Sequence, residues 1–158
     1  MNSLVVYDSK FGNTRKLAEI IAMSLAEFGA VVAVGVESPE ALRLEHSDLL
    51  VVGGPTQAHG LSPAMRSYLD RLSSGTGKAA ATFDTRLKGP GFLWGSAARA
   101  INEYLEKHDF APVAPPESFI VVGMQVPHLL DGETERAARW ARHLGTQVRL
   151  GLRERSAV

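Results

Sequence analysis

The sequence predicts an α/β domain of the doubly wound kind: five parallel strands in the order 2-1-3-4-5 with helices on both faces. Five short apolar runs alternate with longer stretches of helical period, the signature of repeated βα units around a parallel sheet. Strand and helix in strict succession, joined by right-handed crossovers, leave few topologies, and that order is the leading one. The length of 158 residues suits one hydrophobic core and is short for two. Residues 1–158 are therefore expected to form a single domain, with ligand held where the carboxyl ends of strands one and three diverge.

The runs Leu4-Val5-Val6-Tyr7, Val31-Val32-Ala33-Val34, Leu49-Leu50-Val51-Val52, Ala79-Ala80-Ala81-Thr82-Phe83 and Phe119-Ile120-Val121-Val122 are nearly continuous in apolar residues, as strands covered on both faces should be. After the first, Leu17, Ile20, Ile21, Leu25 and Phe28 recur at helical spacing, and Gly29 can end that helix. Met65, Tyr68, Leu69 and Leu72 form a second stripe behind Ser62-Pro63, a serine cap followed by a first-turn proline. Gly75 and Gly77 close that segment. Ala98, Ile101 and Leu105 mark a third helix, with His108 at its end, and Ala137, Trp140, Ala141, Leu144 and Val148 mark the last. Residues 38–47 read as a loop or, from Pro39, one or two helical turns. The proline-rich stretch 111–116 reads as an extended approach to the fifth strand.

With 17 Lys+Arg against 17 Asp+Glu, the chain has no net field to draw it to nucleic acid or an anionic membrane. It contains no cysteine, so disulfides, thiolate metal sites and cysteine nucleophiles are excluded. No stretch approaches the roughly 18 apolar residues of a membrane span, and a cytoplasmic protein is expected.

The most informative segment joins the first strand to the first helix: Tyr7-Asp8-Ser9-Lys10-Phe11-Gly12-Asn13-Thr14. Such a loop can turn the amides of Gly12, Asn13 and Thr14 toward a phosphate, with hydroxyls from Ser9 and Thr14 and the positive end of the helix dipole behind them. The competing use is an ordinary βα turn in which Ser9 and Asn13 only cap the helix. It is not a Walker loop, which would need a terminal Gly-Lys-Ser or Gly-Lys-Thr, nor a GxGxxG dinucleotide turn.

The string Val5-Val6-Tyr7-x-Ser9-x-x-Gly12-x-Thr14-x-x-x-Ala18-x-x-Ile21 resembles the phosphate-loop signature of the flavodoxin family, with every defined position filled. The resemblance implies a flavodoxin-like fold and FMN as cofactor, its ribityl phosphate gripped by Ser9, Lys10, Phe11, Gly12, Asn13 and Thr14. It extends to Gly53-Gly54-Pro55-Thr56-Gln57-Ala58-His59-Gly60, which is similar to the family's flavin-contacting loop. That implies contacts from Pro55, Thr56, Gln57, Ala58, His59 and Gly60, with Thr56 at the ring's polar edge and His59 over one face. A surface histidine in a glycine-rich turn is the other reading of His59, and flavodoxins usually place an aromatic here.

A third group, Phe83-Asp84-Thr85-Arg86, follows the fourth run at the same edge. Asp84 and Thr85 would meet the flavin's pyrimidine edge and Arg86 would stabilise negative charge on the reduced ring, with a structural salt bridge as the competing use. The family's acidic, tyrosine-containing loop is missing here. Landmarks such as Gly95-Ser96-Ala97-Ala98, Pro115-Pro116-Glu117-Ser118-Phe119 and Leu130-Asp131-Gly132-Glu133 are similar to a bacterial branch of flavodoxin-domain proteins. Trp140 is expected in the core and Trp94 is a candidate flavin cover.

The function implied is an FMN-binding redox protein passing electrons to a partner protein or a small acceptor, an electron carrier rather than a classical enzyme. An FMN-dependent NAD(P)H:quinone-type reductase and a flavin-free binding or regulatory module on the same fold are the alternatives. Lys10, His59 and Arg86 on the ligand rim imply a higher second-electron potential than acidic flavodoxins show.

Overall fold

The computed structural model describes residues 1–57, 60–89 and 95–157. Strand β1 (Ser3–Tyr7) leads into helix α1 (Asn13–Leu25), followed by β2 (Val31–Gly35), a single 3-10 turn at Pro39–Leu42 and β3 (Leu49–Pro55). Helix α2 (Pro63–Arg71) connects to β4 (Ala79–Leu87), and α3 (Ala97–Lys107) to the short β5 (Ala111–Pro112). The chain ends with β6 (Glu117–Val122), β7 (His128–Leu129) and the long helix α4 (Glu133–Ser156).

The long strands take the order β2-β1-β3-β4-β6, which is the expected order 2-1-3-4-5. Two short strands correct the expected count of five: β5 pairs with the start of β4, and β7 adds an antiparallel outer edge to β6. Ala79 and Ala80 face Ala111 and Pro112, whereas Phe83 faces Glu117, so residues 113–116 stand opposite only residues 81–82. The partner strand of β4 is thus interrupted by a bulge where the sequence is richest in proline, a residue that cannot donate to the ladder.

Successive residues of β1 serve opposite faces, as strand geometry requires. Val5, Val51, Phe83 and Phe119 meet α1 and α4 through Leu17, Ile21, Ala141 and Leu144. Leu4, Val6, Leu50 and Val52 meet α2 and α3 through Met65, Leu69, Ile101 and Leu105 on the other face. The apolar stripes anticipated for all four helices face the core, with Ile20, Phe28 and Trp140 half-buried at their margins, and Trp140 packs edge-on against Phe83 and Phe119 with ring centroids 6.2 and 6.0 Å away. Ser62 caps α2 as expected, its hydroxyl accepting from the Met65 amide at 3.0 Å.

Coverage on both faces fails at β2: Val32 is exposed, because β2 is an edge strand with a neighbour on one side only. The structure also corrects the end of β4, which runs to Leu87 rather than stopping at Phe83, since Phe83–Leu87 pair with Glu117–Val121. That outer lane is pinned from α4, where the buried Glu133 carboxylate accepts from the Ile120 amide at 2.6 Å and from Arg136. Hydrogen bonding from Arg136, then from Ile120, lowers the Glu133 pKa against the opposing effect of burial. Among the described residues no helix is long and apolar enough to cross a membrane.

Candidate functional site

The carboxyl ends of β1, β3, β4 and β6 open onto a cavity of about 470 Å³, the place where open parallel sheets bind ligands. Its wall is assembled from four separate stretches: Lys10, Phe11, Asn13 and Thr14; Pro55, Thr56, Gln57 and Leu61; Thr85, Arg86 and Leu87; and Val121, Gly123, Met124 and Pro127.

The first stretch is built around Gly12, whose φ of +89° lets the chain turn from β1 into α1. Ser9 Oγ accepts from the amides of Gly12 at 3.1 Å and Arg15 at 3.2 Å, which fixes the loop against the helix start. In this respect Ser9 does act as a cap. Asn13 does not: its side-chain amide donates to the Pro127 carbonyl at 2.9 Å, tying the helix start to the loop after β6. The amides of Lys10, Phe11, Asn13 and Thr14 make no hydrogen bond to the protein among the described residues. With no acidic side chain in the first turn of α1 and Lys10 beside it, these donors and the helix dipole suit an anion.

Thr14 Oγ1 lies 2.8 Å from Thr85 Oγ1, and both residues are buried. This bond brings together the phosphate-loop candidate and the end of β4, two of the three groups singled out in the sequence. The β1 end is joined to α2 as well, because Ser62 Oγ donates to Asp8 Oδ2.

In the second group, the Gln57 and Gly60 backbones exchange hydrogen bonds, with Gly60 at φ +89°. Ala58 and His59, together with Trp94, lie outside the described residues. Thr56 was expected to bond a flavin edge, but its hydroxyl donates to Asp84 Oδ2 at 3.0 Å and accepts from the Ala97 amide at 3.0 Å. Thr56 therefore holds the wall together while also lining the cavity.

The third group is corrected most. Because these residues are inside β4, they alternate faces. Phe83 turns into the core against Phe119 and Trp140 and is absent from the cavity wall. Asp84 turns to the opposite face and is fully buried, its Oδ2 accepting from Thr56, from Ser96 Oγ at 2.7 Å and from the Ala98 amide at 3.0 Å. It anchors the first turn of α3, whose N-cap is Ser96, and has no exposed surface for a ligand to meet. Thr85 and Arg86 do line the cavity. The expected alternative of a salt bridge is not realised: among the described residues Arg86 has no ion pair, and its Nε is buried without a hydrogen-bond partner.

Sequence reasoning missed Leu61, Leu87 and the whole fourth stretch. The signal was present for the last of these, since Gly123-Met124-Gln125-Val126-Pro127 follows the final long strand at the edge where ligands bind.

A family model described as a flavodoxin domain matches residues 4–89, more than half of the chain. The chain belongs to the flavodoxin-domain family. No curated protein matches the sequence. Among solved structures, a flavodoxin from the domain Archaea is similar at 21% identity and a TM-score of 0.79, over 94% of this chain and 99% of that one. Oxidised flavodoxin 2 from Bacillus cereus is equally similar, at 21% identity and TM-score 0.79, over 93% and 99%. The rubredoxin oxygen:oxidoreductase of Desulfovibrio gigas matches at 18% identity and TM-score 0.77, over 96% of this chain and 37% of that one. At these identities the likeness establishes the flavodoxin-like fold.

Proposed function

We propose that this flavodoxin-domain protein is a single-domain, cytoplasmic FMN-binding redox carrier that passes electrons to a partner protein or a small acceptor. The observation that carries the reading is the row of open amides at Lys10, Phe11, Asn13 and Thr14, set at the start of α1. Four donors without a protein partner around a glycine turn fit a phosphate ester. Arg86 on the same wall supports the reading, because among the described residues it has no ion pair and its guanidinium charge suits an anionic ligand.

When bound, FMN supplies reversible one- and two-electron chemistry. The chain's own residues would do the rest. The loop 9–14 would hold the phosphate, Thr85 would position Thr14 through the hydroxyl pair, and Gly12 would let the backbone approach. The mostly apolar wall of Pro55, Leu61, Leu87, Val121 and Met124 would exclude water from a planar ring, and Arg86 would stabilise negative charge on it.

The test is reconstitution. Purified protein is incubated with FMN, excess is removed, and the visible absorption spectrum is recorded alongside a parallel riboflavin sample. Stoichiometric flavin absorbance with FMN and far weaker retention of riboflavin is the expected outcome. A protein that keeps neither is a flavin-free module on this fold, and the redox reading fails.

A further inference from the structure

The exposed apolar side chains of this protein are not scattered. Of the seven exposed large hydrophobics among the described residues, three line the cavity, Phe11 at 66%, Leu87 at 45% and Met124 at 92% exposure, and a fourth, Val126 at 77%, belongs to the loop that carries Met124. They come from three distant stretches of chain. Phe11, Leu87 and Met124 line the cavity, and Val126 follows in the same loop as Met124, one residue before Pro127. Single exposed apolar residues need no explanation, whereas a cluster around an opening marks an interaction site. The loop that presents Met124 and Val126 is held in place at Pro127 by Asn13 and closed by the β6–β7 pairing, so the surface is organised before any partner arrives.

The charged residues on the cavity wall have one sign. Lys10 and Arg86 are on the cavity wall, the exposed Lys88 follows Leu87, and no described wall residue is a carboxylate. Since the chain as a whole is neutral, this is a local asymmetry. A two-fold contact between copies of this chain would set Lys10, Arg86 and Lys88 near their own counterparts, which like-charge repulsion disfavours. A face with an apolar centre and acidic surroundings complements the rim on both counts.

We propose that the rim formed by Phe11, Leu87, Met124 and Val126 is the docking surface for a redox partner protein whose contact face is apolar at its centre and ringed by Asp and Glu. The inference rests on the cavity being the redox site, and it deepens that reading by assigning the partner's chemistry.

The test uses two probes built on one protein and opposite in surface charge: lysine-rich mitochondrial cytochrome c, and the same protein with its lysines succinylated, both ferrous. Each is titrated into isotopically labelled protein while amide NMR shifts are followed, with and without FMN. Because binding is read directly, failure to take up FMN and failure to dock are separate results. The succinylated probe is expected to shift the amides of residues 10, 11, 87, 88, 124 and 126 at low ionic strength, and its affinity is expected to fall about tenfold or more by about 0.3 M salt as screening sets in. Val126→Ser is expected to weaken it several-fold, and Lys88→Glu to remove the preference between probes, both with FMN content unchanged. Preference for the unmodified probe, shifts on another face, or no shifts with either would overturn the proposal. So would self-association through these amides, or their selective protection by phosphatidylserine vesicles without a response to either cytochrome.

Discussion

Replacing Asp84 by alanine tests how the cavity wall is held. One carboxylate oxygen accepts from Thr56, Ser96 and the Ala98 amide, at 3.0, 2.7 and 3.0 Å, in a site with no solvent exposure. Hydrogen bonds to a charged acceptor are each worth about 1.5–3 kcal/mol. The two hydroxyls can rotate toward other acceptors, but the Ala98 amide cannot, and relief of the buried charge returns part of the loss. A net destabilisation of about 3 kcal/mol follows, or about 6–12 °C in Tm for a chain of this size. Asparagine keeps an acceptor oxygen in place, so Asp84→Asn should lose only about 1 kcal/mol through the weaker, uncharged bonds. Urea unfolding followed by circular dichroism measures both, and an FMN titration reports the wall, since Thr56 loses its anchor. An alanine variant within about 1 kcal/mol of wild type, or an asparagine variant as damaged as the alanine one, would refute the assignment of Asp84 as the wall's cap.

Gly12→Ala places a side chain at φ +89°, so it should cost about 1–3 kcal/mol and weaken FMN more than riboflavin, read by fluorescence titration. Gly53→Ala would put a Cβ 2.1 Å from Phe83 Cζ, and overpacking of at least about 1–3 kcal/mol should show in thermal unfolding. Glu133 has a folded-state pKa below its unfolded value of 4.5. Its contribution to stability is therefore present above that value and lost as pH falls through the folded pKa. Glu133→Gln should flatten the acid limb of a stability-versus-pH curve. Arg86→Gln should lower the second-electron potential of the FMN-loaded protein, measured by potentiometric titration, because it removes a cation from the wall.

The features legible in the sequence are those decided locally. Ser62-Pro63 starts α2 because a hydroxyl three residues ahead of an open amide caps it wherever the chain lies, and Gly12 marks its turn for the same reason. The stripe of Leu17, Ile21 and Leu25 needs only helical period. What was not legible depends on partners distant in sequence. The end of β4 is set by Glu117–Val121 alongside it, and until that end is known the alternation of Phe83, Asp84, Thr85 and Arg86 cannot be assigned to faces. Phe83 and Asp84 thus look directed toward a ligand in the sequence, when one is core and the other anchors the first turn of α3. The exposure of Val32 likewise reflects its place at the sheet margin, which no run of apolar residues reveals.

The bulge at residues 113–116 separates the outer lane of the sheet into two independently registered pieces. Ala111 and Pro112 take their position from Lys78 and Ala79 at one end, while Ile120 takes its position from Glu133 at the other. The register beside the opening, where Arg86 faces Ile120 and Leu87 faces Val121, is therefore set by partners other than those that align the far end.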